Sequence, residues 1–148
     1  KKKDREYYAK QIAKINQNAI GASCPELEVV TVDGERRKLS ELIANTMTIL
    51  FFNDGDCIDC MISKLKLSTS VPLNNLIDQG KVKVVCITPK KYTAEWAADA
   101  RGWASNWDIV ASEDAMDVFD IRISPSVFVL DEQKCISHKN ITVEMLLR

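Results

Sequence analysis

The chain has 148 residues, 46% hydrophobic and 28% charged, with 20 Lys plus Arg against 21 Asp plus Glu. A chain of this length fits one domain with a real core, needs no disulfide staples to fold, and is too apolar for wholesale disorder. The near-zero charge excludes the basic field of a nucleic-acid binder, and no apolar run approaches the ~18 residues of a membrane-spanning helix.

The start, Lys1-Lys2-Lys3-Asp4, has no initiator Met and no apolar signal core, so the chain reads as a mature or trimmed fragment. Residues 4–19 place Tyr7, Tyr8, Ile12 and Ile15 among polar residues, with Ile20 just beyond, and predict an amphipathic helix that packs on the domain or ends a preceding one. Residues 21–25 form an irregular entry. Leu27 to Val32 predicts a short strand, Asp33-Gly34 a hairpin turn, and Arg37 and Lys38 the return strand. Ser40 is expected to cap a short helix through Ala44.

Three nearly continuous apolar runs, Met47–Phe52, Val82–Ile87 and Val127–Leu130, suit central strands buried on both faces. Helical spacing separates them. Ile58, Met61, Ile62 and Leu65 share one face of a first helix. Trp96, Ala100 and Trp103 share a face of another, capped by Thr93, and residues 114–119 form a short third. A last strand is expected near residues 134–137 and a helix over 143–147. The alternation predicts an α/β fold with a central mixed sheet flanked by helices and an extra N-terminal helix.

Five cysteines are present: Cys24, Cys57, Cys60, Cys86 and Cys135. An odd count without regular spacing argues against a disulfide scaffold. Cys86 sits in an apolar strand and is expected to be buried. The tryptophans Trp96, Trp103 and Trp107 read as core or rim aromatics, and the single histidine, His138, as an exposed strand residue.

Cys57-Ile58-Asp59-Cys60 follows a buried strand and a tight loop and opens a helix. Cys57 is expected at the first helical position, where free N–H groups and the helix dipole favour a thiolate. Cys60, three residues on, lies within disulfide reach. Cys57 would attack a substrate disulfide and Cys60 would resolve the mixed disulfide. Zinc ligation and inert burial are the alternatives for the pair. With no second Cys-x-x-Cys and one histidine, zinc lacks its usual four ligands. No metal and no cofactor is expected. Asp56 reads as the helix N-cap and Asp59 as the third helical residue, so that the two form a capping box. Both carboxylates should also oppose a Cys57 thiolate, raise its pKa and tune the pair toward a reductant.

Together with these elements, Gly21-Ala-Ser-Cys-Pro25, Val32-Asp33-Gly34 with Leu39-Ser40, residues 47–60 and Ile123-Ser124-Pro125-Ser126-Val127-Phe128-Val129-Leu130-Asp131 resemble the thioredoxin-like superfamily. Within it, they resemble the TlpA-like thiol–disulfide oxidoreductases of the bacterial cell envelope. The resemblance spans residues 20–148, with residues 1–19 as an N-terminal helix or a linker from a removed upstream segment. It implies a thioredoxin-like fold and disulfide exchange with protein substrates, supplied by an upstream redox partner. It further implies a periplasmic or envelope setting, for a soluble domain that a longer form would anchor to the membrane. It also implies that Pro125 is cis beside the cysteines and that Ser124 and Pro125 bind substrate backbone. On the residues alone, Pro125 also suits a trans turn. The chain departs from the family at Asp56, where a Trp is usual, and at Ile58-Asp59. Two other readings stand beside this one: a non-enzymatic thioredoxin-like binding module, and a peroxiredoxin-type peroxidase. The peroxidase would need a Thr or Ser at the positions held by Asn53 and Asp54.

Overall fold

The computed structural model describes residues 1–148. Three apolar runs become β3 (Met47–Phe52), β4 (Val82–Thr88) and β6 (Ser126–Leu130), the centre of one seven-stranded sheet. β3 runs parallel to β4, pairing Phe51 with Cys86, and antiparallel to β6, pairing Phe51 with Val127. Because side chains alternate across a strand, β3 feeds two cores. Leu50 and Phe52 join Phe119, Phe128 and Ile136 on one face, while Ile49 and Phe51 join Leu67, Val84, Cys86 and Trp107 on the other. Each fully buried Leu or Phe here contributes roughly 1.5–3 kcal/mol of transfer free energy. This is why the runs read as continuous rather than alternating.

The hairpin of β1 (Glu28–Thr31) and β2 (Arg36–Lys38) turns at Gly34, whose φ is +81°, and docks through β5 (Asp108–Ala111) onto β4. On the other edge β7 (Ile136–Ile141) pairs with β6. The full order is β2-β1-β5-β4-β3-β6-β7. Helices α3 (Ile58–Ser68), α4 (Val71–Asp78) and α7 (Val143–Leu146) each bury a leucine or valine, Leu67, Leu73 and Val143, in the Phe51 core. Helices α2 (Leu39–Leu42) and α6 (Ala115–Val118) likewise place Leu39 and Ala115 in the Phe52 core. Thr93 caps α5 (Ala94–Ala100) by accepting the Trp96 N–H, as expected.

Several expectations need correction. The N-terminal helix α1 (Lys2–Gln17) buries no side chain, so it is not a core-packing helix. Tyr7, Tyr8, Ile12 and Ile15 are exposed. Its tether is the fully buried Asn18, whose amide donates to Lys14 O at 2.8 Å and Val118 O at 2.9 Å. Ser40 does not cap α2. The helix starts two residues earlier, at Leu39 with Lys38 as its N-cap, and Ser40 instead donates its hydroxyl to Glu26 at 2.6 Å. The shared apolar face of α3 is turned outward, with Ile58, Met61, Ile62 and Leu65 all exposed. Its buried side is Cys60 and Ser63 near the site and Leu67 at its far end, which joins the Phe51 core. Finally, α4 and β5 were not anticipated. β5 is only four residues long, and α4 carries its signal in Ser70, which accepts the Leu73 N–H, and in Pro72 in the first turn.

Candidate active site

The site is built where β3 ends. After Phe52, the Asn53 N–H donates to Ile87 O at 3.0 Å, extending the β3–β4 ladder by one step. The Asn53 side chain, 2% exposed, donates to the Cys60 carbonyl at 2.8 Å and so ties the end of the strand to the first turn of α3. Gly55, at φ +88°, turns the chain between them, a conformation costly for residues with a Cβ.

This extra turn moves the helix start by one residue. Cys57 has an extended backbone, φ −116° and ψ 156°, and is itself the N-cap of α3. Its Sγ accepts the Cys60 N–H at 3.0 Å. Cys57 is therefore not the first helical residue, Asp56 is not the cap, and Asp56 and Asp59 form no capping box. The correction keeps the chemistry that the motif needs, because an N-cap sulfur faces the free N–H groups and the positive end of the helix dipole.

Cys57 and Cys60 form a disulfide, with Cα atoms 5.1 Å apart. The two sulfurs differ in access: Cys57 is exposed and Cys60 is fully buried. Ser124 joins them, its Oγ 4.0 Å from Cys60 Sγ. The next peptide bond, Ser124–Pro125, is cis. Beside Ser124 opens a groove of about 330 Å³ whose lining includes Phe52, Asp54, Pro89, Ile121, Ile123 and Ser124. A larger cleft of about 470 Å³, near Arg101 and Trp103, shares no residue with the disulfide.

The acids are placed differently from the sequence expectation. Lys90, in the loop after β4, reaches across to the loop before Cys57. Its Nζ lies 2.7 Å from Asp54 Oδ1 and in direct contact with Asp56 Oδ2. These bonds, Asp54 first and then Asp56, hold the Lys90 ammonium above its ordinary pKa. Asp56 is therefore not a bare charge beside the sulfur. Asp59 stays exposed in the first turn of α3, where the dipole favours an anion. Lys90 and Asn53 carry no motif of their own, and only their partners reveal them.

The remaining cysteines are free. Burial pushes the Cys86 thiol up to about 12. Burial, with Glu26 nearby, does the same for Cys24. Trp107 is buried against Phe51, Trp96 donates its indole N–H to Thr88, and Lys64 sits 4.1 Å above the Trp103 ring. His138 is exposed on β7.

No protein-family model and no curated protein matches the chain. Solved structures do. A thioredoxin-like protein from Bacteroides caccae superposes with a TM-score of 0.83 at 18% identity, over 99% of this chain and 54% of that one. This chain thus spans about half of that protein. The thioredoxin domain of a thiol-disulfide oxidoreductase from Bacteroides vulgatus gives 0.67 at 17% identity, over 88% of this chain and 99% of that one. A domain of a possible thiol-disulfide isomerase from Cytophaga hutchinsonii gives 0.67 at 27% identity, over 86% and 88%. With the sheet order and the disulfide at the head of α3, these likenesses show a thioredoxin-like fold, consistent with the thioredoxin-like superfamily.

Proposed function

We propose that the protein is a TlpA-like thiol–disulfide oxidoreductase that exchanges disulfides with protein substrates through Cys57 and Cys60. The observation that carries this reading is the asymmetry of the pair, with an exposed sulfur at a helix N-cap bonded to a fully buried one. In the oxidised form, a substrate thiolate attacks Cys57 Sγ. The Cys57–Cys60 bond breaks, and Cys60 leaves as a thiolate beside the Ser124 hydroxyl. A second substrate thiolate then attacks the substrate sulfur of the mixed disulfide and releases Cys57. Two electrons pass from the substrate to the pair. Run in reverse, the Cys57 thiolate opens a substrate disulfide and Cys60 closes on Cys57.

Ser124 and Pro125 are proposed to pair with substrate backbone beside the sulfurs. Protein rather than small-molecule substrates are supported by the apolar surface next to the disulfide: Ile58, Met61, Ile62 and Leu65 form an exposed strip along α3, with Ile58 76% exposed. An envelope setting, an upstream redox partner and a functional domain over residues 20–148 with α1 outside it belong to the same proposal, the last in keeping with a helix that buries no side chain. A peroxidase is not favoured, because Asn53 is occupied with the Cys60 carbonyl and Asp54 with Lys90.

The test is reduction of insulin disulfides by dithiothreitol. Wild-type protein should accelerate it, and Cys57→Ser should abolish the acceleration. Equal rates with and without the wild-type protein would leave a binding module as the reading.

A further inference from the structure

The Cys57 loop is acidic in sequence: Asp54, Asp56 and Asp59 fall within three residues of the exposed sulfur. One cation is delivered to this cluster, and it comes from 34 residues away along the chain. The other basic groups nearby are engaged elsewhere. Arg122, on the same groove, bonds Asp120 at 2.9 Å, with Lys139 3.8 Å from the same carboxylate oxygen. Lys64, on α3, lies over Trp103. Lys91 lines a separate cleft with Glu28, Glu113 and Asp114. Formally, the cluster carries three negative charges without Lys90 and two with it, and Lys90 binds the two acids that precede the sulfur.

Resting on the reading of Cys57 as the attacking sulfur, we infer that Lys90 is a positioning residue. It sets the reactivity of Cys57 in the reduced protein by holding Asp54 and Asp56 in one ion cluster across the β3–α3 and β4–α5 loops. Its effect has two parts. It cancels charge that would otherwise oppose the Cys57 thiolate, and it fixes the Asp54–Asp56 loop that presents the sulfur at the N-cap of α3. The acids that distinguish this motif thus work as a loop clamp, with the lysine as counter-ion. The charged groups closest to Cys57 along the chain are Asp54 and Asp56 on its own loop and Asp59 on α3, and Lys90 of the β4–α5 loop joins them through its contacts with Asp54 and Asp56.

The test is the pH profile of Cys57 alkylation in the reduced protein at low salt, with the labelled site read by mass spectrometry. Lys90→Gln should raise the apparent pKa of alkylation by about 0.5–1 unit, since removing an opposite charge near an exposed group acts in this direction and is moderated by solvent. Lys90→Arg should restore the wild-type profile. Lys90→Gln combined with Asp54→Asn and Asp56→Asn should bring the profile back to wild type or below. The Lys90→Gln shift should shrink in 0.5 M salt, as expected for screened charges. A Lys90→Gln profile that superimposes on wild type overturns the inference alone. So does a shift that the aspartate replacements leave in place. First labelling at Cys60 instead of Cys57 overturns the assignment of the attacking sulfur, and the inference with it.

Discussion

Replacing Asn53 by Ala isolates the link between the sheet and the disulfide. The Asn53 amide is 2% exposed and donates one hydrogen bond, 2.8 Å long, to the Cys60 carbonyl. A buried hydrogen bond contributes about 0.5–1.5 kcal/mol net, and an acceptor left without its donor raises the cost toward the upper end of about 1–3 kcal/mol. The small void left by the amide adds to this. A loss of about 1.5–2.5 kcal/mol follows. For a chain near 150 residues, 1 kcal/mol shifts Tm by about 2–4 °C, so Asn53→Ala should lower Tm by about 3–10 °C. Asn106→Ala serves as the control. Its amide bonds Asn74 at 3.0 Å on the surface, and removing it should stay within about 0.5 kcal/mol. Thermal unfolding by circular dichroism of both oxidised variants decides the matter. An Asn53→Ala Tm within 1 °C of wild type would refute the claim that this amide anchors the first turn of α3.

Phe128→Ala should be among the most destabilising single changes, at about 3–5 kcal/mol in denaturant unfolding, because Phe128 is fully buried with edge contacts to Phe52 and Phe119. Deleting residues 1–13, which keeps the Lys14 carbonyl that the buried Asn18 bonds, should change stability by less than about 1 kcal/mol, since α1 buries no side chain. Gly55→Ala should cost about 1–2 kcal/mol, because its φ of +88° is unfavourable with a Cβ. At pH 8, below the value of about 12 to which burial raises both thiols, Cys24 and Cys86 should resist alkylation in the reduced native protein. Both should label once the protein is unfolded, as counted by mass spectrometry.

The central strands were legible because residues such as Ile49, Leu50, Phe51 and Phe52 serve two cores, and that leaves an unbroken apolar run. The motif was legible because Cys57 and Cys60 carry their spacing on their face. The outward face of α3 was not. Ile58, Met61, Ile62 and Leu65 have the spacing of a core face, yet the side of α3 that the sheet buries is the one carrying Cys60, Ser63 and Leu67, which leaves them to solvent. The helix start was misplaced by one residue because the Gly55 turn extends Cys57 backbone. The Lys90 clamp joins residues 34 apart, and no local pattern encodes such a contact. The β5 strand was missed for a related reason: four residues acquire strand geometry by pairing with β1 and β4, not from their own periodicity.

The most direct test of the account is a trap. Reduced Cys60→Ser protein, mixed with a peptide disulfide, should accumulate a mixed disulfide with the peptide joined to Cys57, identified by mass spectrometry after digestion. Reduced Cys57→Ser protein should trap little, because Cys60 is buried. Trapping that is equal or faster at Cys60, or no adduct on Cys57, would contradict the assignment of Cys57 as the attacking sulfur and Cys60 as the resolving one.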